Sequence, residues 1–259
     1  MLIQARRART ANTSAPIQER RSYATGQVRW TYGPSILFWL HAQTDTSPGG
    51  ATVSSANDWS GAGVAISQAV AARQPLKGAV NNAAAFQFDG VNDWFNLGSV
   101  GLSGQAITVA TIEKQTNSAF AYQIDLNTVA PRAYLGRWNV VAARNVSAAV
   151  QGNVGWSSMW STAGFNNLVG IVAVLDMSKA SGSEVALYAD GSAPATATGA
   201  AENTGSFSAT TGAIGATAAG TGGGPYGGFI CSLIILKASV TAAQAAQLNT
   251  VLRQAAGVA

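Results

Sequence analysis

The sequence predicts an all-β protein, an antiparallel β-sandwich with an extended N-terminal arm over residues 1–33 and a short C-terminal helix over residues 241–256. Three observations predict it. Short apolar-rich segments recur with turn residues about every eight to twelve positions, the spacing of a sandwich. Asp, Asn and Gly cluster between these segments, at 58–63, 89–93 and 190–191, where they supply tight turns. A capped helical pattern closes the chain.

Residues 1–33 hold six arginines, Arg6, Arg7, Arg9, Arg20, Arg21 and Arg29, against one acid, Glu19. Arg, Ala, Thr, Ser and Gln alternate there with little periodicity, the composition of an extended arm. Two placements are open: docking on an acidic or polar partner surface, or folding back on the chain's own domain. The first convincing strand is 35–40, Ser-Ile-Leu-Phe-Trp-Leu, apolar on both faces and therefore expected to be central and covered. His41 ends it and has no second histidine, cysteine or carboxylate pair nearby, so its expected role is structural.

Residues 57–98 carry the densest pattern. Asp58-Trp59-Ser60-Gly61-Ala62-Gly63 is a turn with glycines for positive φ. Val64, Ile66 and Gln68 begin an alternating strand. Phe86 and Phe88 share one face of the next, because strand side chains alternate. Asp89-Gly90 turns the chain, and Trp94 to Leu97 runs on extended. Further strands are expected at 106–114, with Ile107, Val109 and Thr111 on one face, and at 120–126, with Phe120, Tyr122, Ile124 and Leu126 on one face. The short-strand rhythm continues through 132–139, 139–144 and 153–160. Residues 169–175 are nearly all apolar, a covered strand, and 184–192 is a strand entering an Asp-Gly turn. Residues 192–224 are rich in Ala, Thr, Gly and Ser. The glycines of 220–228 read as a surface loop or as a site where a neighbour approaches closely. The last strand is 228–237, and it holds the single cysteine, Cys231, expected as a small buried hydrophobe. Thr241 with Gln244 forms a capping box, Ala245, Leu248 and Leu252 share a helical face, and Gly257 stands at the stop.

These motifs resemble the concanavalin A-like, laminin-G-like jelly-roll domains found in bacteriophage virion proteins and in secreted lectin-like proteins. The residues that carry the resemblance are the D-x-S-G-x-G run at Asp58, Gln68, Gln74-Pro75, the F-D-G-x-x-D run ending at Asp93, and Leu187-Tyr188-Ala189-Asp190-Gly191 preceded by Asp176. Ile214-Gly215 and the strand-then-helix ending also fit. The resemblance covers about 35–257 and implies one concanavalin A-like domain over 34–259. It implies a virion structural protein: a capsid decoration, head-fibre or tail component, made in the host cytoplasm and anchored by its arm to other virion proteins and to copies of itself. The alternative it implies is a carbohydrate-binding, lectin-like adhesin.

Composition narrows the function classes. Charged residues make up 10% of the chain, well below the usual quarter. The net charge of +4 resides in the arm, at +5, and leaves the body at −1. No nucleic-acid-binding face is indicated on such a body, and no apolar run reaches transmembrane length. The arginines near the start are followed by no hydrophobic stretch of the secretory kind. Glycoside hydrolysis needs two carboxylates across a cleft; Glu19, Glu113, Glu184 and Glu202 are far apart, and no E-x-D-x-x-E run occurs. No Gly-x-Ser-x-Gly elbow or phosphate loop is present either, so a non-enzymatic protein without cofactor is expected. Glu113-Lys114 reads as the polar end of a strand. Asp58, Asp89 and Asp93 read as turn and cap chemistry rather than as a calcium site at the sandwich rim. Trp138, Trp156 and Trp160 are the candidate glycan-stacking residues, with Arg132, Arg137 and Arg144 as nearby donors. Trp156 and Trp160, four apart, share one strand face; core packing is the favoured reading of that spacing and sugar stacking the alternative.

Overall fold

The computed structural model describes residues 26–28, 32, 35–116, 120–127, 131–137, 146–152, 156–161, 166–180, 182–190, 197–198, 205–208, 210–218 and 223–258. Its strands, in chain order, are β1 (Ile36–His41), β2 (Ser55–Ala56), β3 (Ile66–Ser67), β4 (Leu76–Val80), β5 (Ala83–Asp89), β6 (Phe95–Val100), β7 (Ala106–Gln115) and β8 (Ala121–Leu126). They continue as β9 (Arg132–Arg137), β10 (Val146–Gln151), β11 (Trp156–Ser161), β12 (Val169–Asp176), β13 (Val185–Ala189), β14 (Ala197–Thr198), β15 (Thr210–Ile214) and β16 (Gly227–Leu236). An α-helix, α1, spans Ala242–Ala256.

Among the described residues these strands form two antiparallel sheets. The first has seven strands in the order β13-β12-β7-β16-β5-β4, with β1 also on β16. The second has nine, in the order β14-β11-β10-β9-β8-β15-β6-β3-β2. Strand alternation decides what each sheet buries. On β7, Ile107 and Val109 point into the core between the sheets, while Ala110 and Ile112 point to the outer face beneath the helix. Phe86 and Phe88 of β5 enter the same inter-sheet core and meet Phe95 of β6 edge to face, at 5.5 and 6.0 Å. The β4–β5 turn is made by Asn81 and Asn82, both at positive φ (49° and 63°), between the paired Val80 and Ala83. That is the backbone a two-residue hairpin needs to match strand twist, and Asn tolerates it.

Several sequence expectations are corrected. β1 is covered on both faces, with Phe38 and Leu40 inward and Trp39 outward. Its strand partner is β16, and it is not central. The reason is that β5 pairs with Gly227–Ile230 of β16, leaving Ser232–Leu236 for β1, so β1 continues the line of β5. The strand from Val64 is only Ile66–Ser67, because Gln68 turns its side chain to Trp94 O (3.1 Å) and Val70 N (3.0 Å). β10 was not legible: its Ala148 and Ala149 have low strand propensity, and it is held by ladders to β9 and β11 on both sides. Glu113 is not a polar strand end. Period two puts it on the face of Ile107 and Val109, so it is fully buried, and Tyr226 Oη donates to its Oε2. The segment 139–144 lies outside the described residues.

A third layer covers the first sheet. Thr241 Oγ1 accepts from Gln244 N (3.3 Å) and Gln244 Oε1 accepts from Thr241 N (2.8 Å), the reciprocal cap expected of this sequence. Gly257, at φ 75°, stops the helix in the left-handed region. Ala245, Leu248 and Leu252 are buried against the sheet. Asn249 lies against Gly170 of β12, where a Cβ would collide with its side chain, so the glycine lets the helix come close. Val28 and Tyr32, from the segment expected as an arm, are buried in this same layer, and Tyr32 Oη donates to Gln244 O at 3.2 Å.

Candidate functional site

The site grows from a break in strand periodicity. Strict alternation over 120–126 would put Phe120, Tyr122, Ile124 and Leu126 on one face. The structure corrects this: the register of β8 on β9 shifts between Tyr122 and Ile124, a β-bulge. Ile124 and Leu126 face the inter-sheet core. Tyr122, on the other side of the bulge, joins Tyr134 and Ala149 on the outer face of the second sheet, with Phe120 packed beside them. A bulge inserts one residue and re-aims those before it. Gly136 of β9 is paired with Tyr122, and a Cβ there would collide with Ala121 O. The bulge therefore requires glycine opposite it. The 223–228 segment lies over the result: Gly224, at φ 59°, accepts at its carbonyl from Tyr122 N (2.9 Å), and a Cβ on it would sit 2.8 Å from the Tyr122 ring. The close approach that Gly224 permits is to the chain's own rings, Tyr122 and Phe120.

Cross-strand register then aligns the remaining groups. Arg132, Gln151 and Trp156 are direct lateral neighbours on β9, β10 and β11, and Tyr134, Ala149 and Ser158 form the adjacent row. Side chains so paired stand within contact distance. Arg132 is the hub. Its Nε donates to Asp125 Oδ1 at 2.9 Å, and its Nη2 donates to Oδ2 of the same carboxylate. Asp125 is fully buried and also accepts from Ala218 N (2.9 Å). The guanidinium carbon lies 5.8 Å from the Tyr122 ring centre and 5.7 Å from that of Trp156. Tyr122 and Tyr134 meet edge to face at 5.3 Å, and Tyr134 and Trp156 are tilted at 5.5 Å. Hydrogen bonding to Asp125 is the largest effect on Arg132 and raises its pKa, securing the charge; burial raises the pKa of both tyrosines.

At the end of this stack Trp156 is 37% exposed, while Tyr122 and Tyr134 are each 7% exposed. Among the described residues it is the exposed aromatic; Val70 and Val91 are the other exposed large apolar side chains. A flat indole, fixed from below and edged by Gln151 and Arg132, suits a ligand with an apolar face and hydroxyls around it. Core packing, the favoured reading of Trp156 from spacing, is thereby corrected. The outward position follows from its register with Gln151.

The other expected site residues separate from this face. Backbone pairing puts Trp160 opposite Ser147, four positions along β11. Trp138, Arg144 and the arm residues Arg6, Arg7, Arg9, Arg20, Arg21 and Arg29 lie outside the described residues. Asp58 uses both oxygens on its own loop and on β1, accepting from Ser60 N, Ser60 Oγ, Val64 N and, across to β1, Trp39 N at 2.7 to 3.0 Å. Asp89 Oδ1 accepts from the amides of Val91, Asn92 and Asp93, and Asp93 Oδ2 accepts from Asp89 N at 2.9 Å. Burial, then the charge of Asp89, pushes the Asp93 carboxyl up to about 6. Among the described residues, no three His, Cys, Asp or Glu side chains gather as a metal site. His41 is buried and stacks on Trp39 at 5.7 Å. A concavity of about 350 Å³ lies beside the start of α1, lined by Asp176, Lys179, Glu184, Tyr188 and Thr241 among others. Asp176 is already engaged there by Ser178 N (3.0 Å) and Ser178 Oγ (2.6 Å).

No family model matches this chain, and no curated protein matches it in sequence. Solved structures do match its fold. Domain 4 of AbnA, an extracellular GH43 arabinanase from Geobacillus stearothermophilus solved with arabinotriose, superposes with a TM-score of 0.56 at 13% identity, covering 83% of this chain and 98% of that one. The ligand-binding domain of botulinum neurotoxin serotype D, solved with N-acetylneuraminic acid, gives 0.56 at 11% identity over 88% of this chain and 52% of that, about half its length. A heptameric SAP-like pentraxin from Limulus polyphemus gives 0.50 at 14% identity over 66% and 84%. At such identities the likeness is one of fold alone: a jelly-roll β-sandwich, as the sequence resemblance implies. The phage association finds no support in these structures.

Proposed function

We propose that this protein is a non-catalytic carbohydrate-binding module, and that it holds glycans on the outer face of its second sheet. The observation that carries the reading is Trp156: a large aromatic exposed on a sheet face and braced by Tyr134 and Arg132. An exposed indole offers a ligand a flat apolar face with a hydrogen-bond donor at its rim. Sugar rings cover indoles well, since their C–H faces are apolar and their rims are hydroxyls. Two structural neighbours, the arabinanase domain with arabinotriose and the neurotoxin domain with N-acetylneuraminic acid, support the reading as sandwiches of this kind that bind saccharides. The test is a glycan array with the full chain, repeated with Trp156→Ala. Binding that disappears in the variant while the thermal midpoint holds supports the assignment. Binding unaffected by the substitution moves the site elsewhere, and absence of binding by the wild type rejects the function.

A second reading, a virion structural protein, is favoured by one observation: six arginines against one acid in residues 1–33, ahead of a body with few charges. An arm of that kind suits charge-assisted docking on an acidic surface in an assembly. Counting this chain against the major capsid protein by mass spectrometry of purified particles tests it; absence from particles rejects it.

A further inference from the structure

We infer that the saccharide this face takes is uncharged: a neutral oligosaccharide, not one recognised through a carboxylate or sulfate. The inference rests on the glycan-binding reading and concerns the charge of the ligand.

Acidic sugars are usually bound by a cation whose charge is free to pair with them, because pairing a carboxylate with arginine is bidentate and strong. Arg132 is the cation beside Trp156; the Nε–Nη2 edge of its guanidinium is already taken, and its charge is already paired with Asp125. Its Nε and Nη2 engage both oxygens of Asp125, which is fully buried and cannot leave to solvent. Ala218 N holds the same carboxylate from a third direction. The guanidinium is also confined between the Tyr122 and Trp156 rings, so it cannot swing out toward a ligand without breaking both stacks. A ligand carboxylate arriving here would meet a paired charge, with Asp125 close behind to repel it.

The rest of the face supplies hydrogen bonds without net charge. Gln151 lies between Arg132 and Trp156 in the register. Among the described side chains of this face, Arg132 and Asp125 are the charged pair, and they cancel. An amide next to an indole is the chemistry that recognises hydroxyl groups around an apolar ring. The indole face is itself electron-rich and disfavours an anion lying over it.

The experiment is titration calorimetry of the full chain against neutral pentose and hexose oligosaccharides and against matched uronate-bearing, sialylated and sulfated ones. Each titration is made at low and at high salt. The expected result is binding of a neutral member, with affinity that changes less than about twofold with salt because no ion pair forms. Trp156→Ala lowers that affinity by roughly tenfold or more, as truncation of a central aromatic anchor does. Acidic members bound about tenfold tighter than their neutral counterparts, with affinity lost in salt, would overturn the inference and leave the glycan-binding reading standing. No binding by any member overturns both.

Discussion

Asp93 puts a pH dependence into a turn. Burial, reinforced by the neighbouring Asp89 charge, raises its pKa from 3.8 to about 6. The folded state therefore holds a proton that the unfolded chain releases, and the difference is felt between about pH 4 and pH 6. Stability is expected to rise as pH falls through that window and to be lower at neutral pH, where the carboxylate is charged. Asp89 acts in the opposite sense and in a lower range. Burial works to raise its pKa, but the amides of Asn92, Val91 and Asp93 outweigh that and hold it below the ordinary value. Asp93→Asn retains an oxygen for Asp89 N and removes the charge. Thermal midpoints from pH 4 to 7.5 should flatten in the variant and be higher at pH 7.5; parallel profiles for the two proteins would dismiss Asp93 as their source. A second residue-scale expectation concerns Cys231. Burial, then the charge of Glu113, pushes its thiol up to about 12. The native protein should resist alkylation at pH 8 and react only when unfolded, since the thiolate is the nucleophile. Rapid native labelling would contradict the buried placement.

Among the elements, the bulged strand β8 matters most for the site. Phe86 and Phe88 are legible from sequence because their strand is regular, and two rings spaced by two share a face. The capping box of α1 is legible because its chemistry is local: Thr241 and Gln244 need only each other and their own backbone. Tyr122 is not legible by the same rule. Its face is set by a register shift against another strand, and the enabling residue, Gly136, lies 14 positions away. The one available sign is a glycine inside a strand pattern, which marks a bulge or a close approach. Trp156 fails for a related reason, since alternation gives two faces and does not say which one is wet. Gly224 offers the test of this arrangement. Gly224→Ala would carry a side chain at φ 59° and place its Cβ 2.8 Å from the Tyr122 ring. The left-handed backbone alone costs about 1–2 kcal/mol, and the collision shifts Tyr122 against Arg132. Both the thermal midpoint and the affinity for glycan are expected to fall. A variant with unchanged stability and binding would show that the segment does not brace the rings. At α1, Thr241→Ala should cost about 1 kcal/mol, the ordinary loss of an N-cap, without touching glycan affinity, because the helix lies on the opposite sheet.

For the whole molecule, three layers stand in order: helix, first sheet, second sheet. The sandwich was legible because its period and turns repeat along the chain, and the helix because it is capped. The connection of the early segment to the helix layer was not legible, since Val28, Trp30 and Tyr32 form only a short apolar stretch in an arginine-rich context, and nothing local says which surface that stretch meets. The burial of Val28 and Tyr32 has a physical logic. The outer face of the first sheet presents Trp39, Ala110, Ile112 and Val172, which form one cluster with residues of α1, with Trp59 and with Val28 and Tyr32. Val28, fully buried, and Tyr32, 6% exposed, belong to the cover, and the hydroxyl of Tyr32 binds the helix at Gln244 O. This layer should therefore unfold with the sandwich as one unit. Tyr32→Ala removes a large buried ring and is expected to cost about 3–5 kcal/mol. In a chain of this size that lowers the thermal midpoint by about 2–4 °C per kcal/mol. Tyr32→Phe keeps the ring and loses only the bond to Gln244 O, for about 1 kcal/mol. A single calorimetric transition, shifted in that order by the two variants, ties the early segment to the folded body. An unshifted midpoint in Tyr32→Ala would show that the segment merely rests on the sheet and leaves the cover to α1.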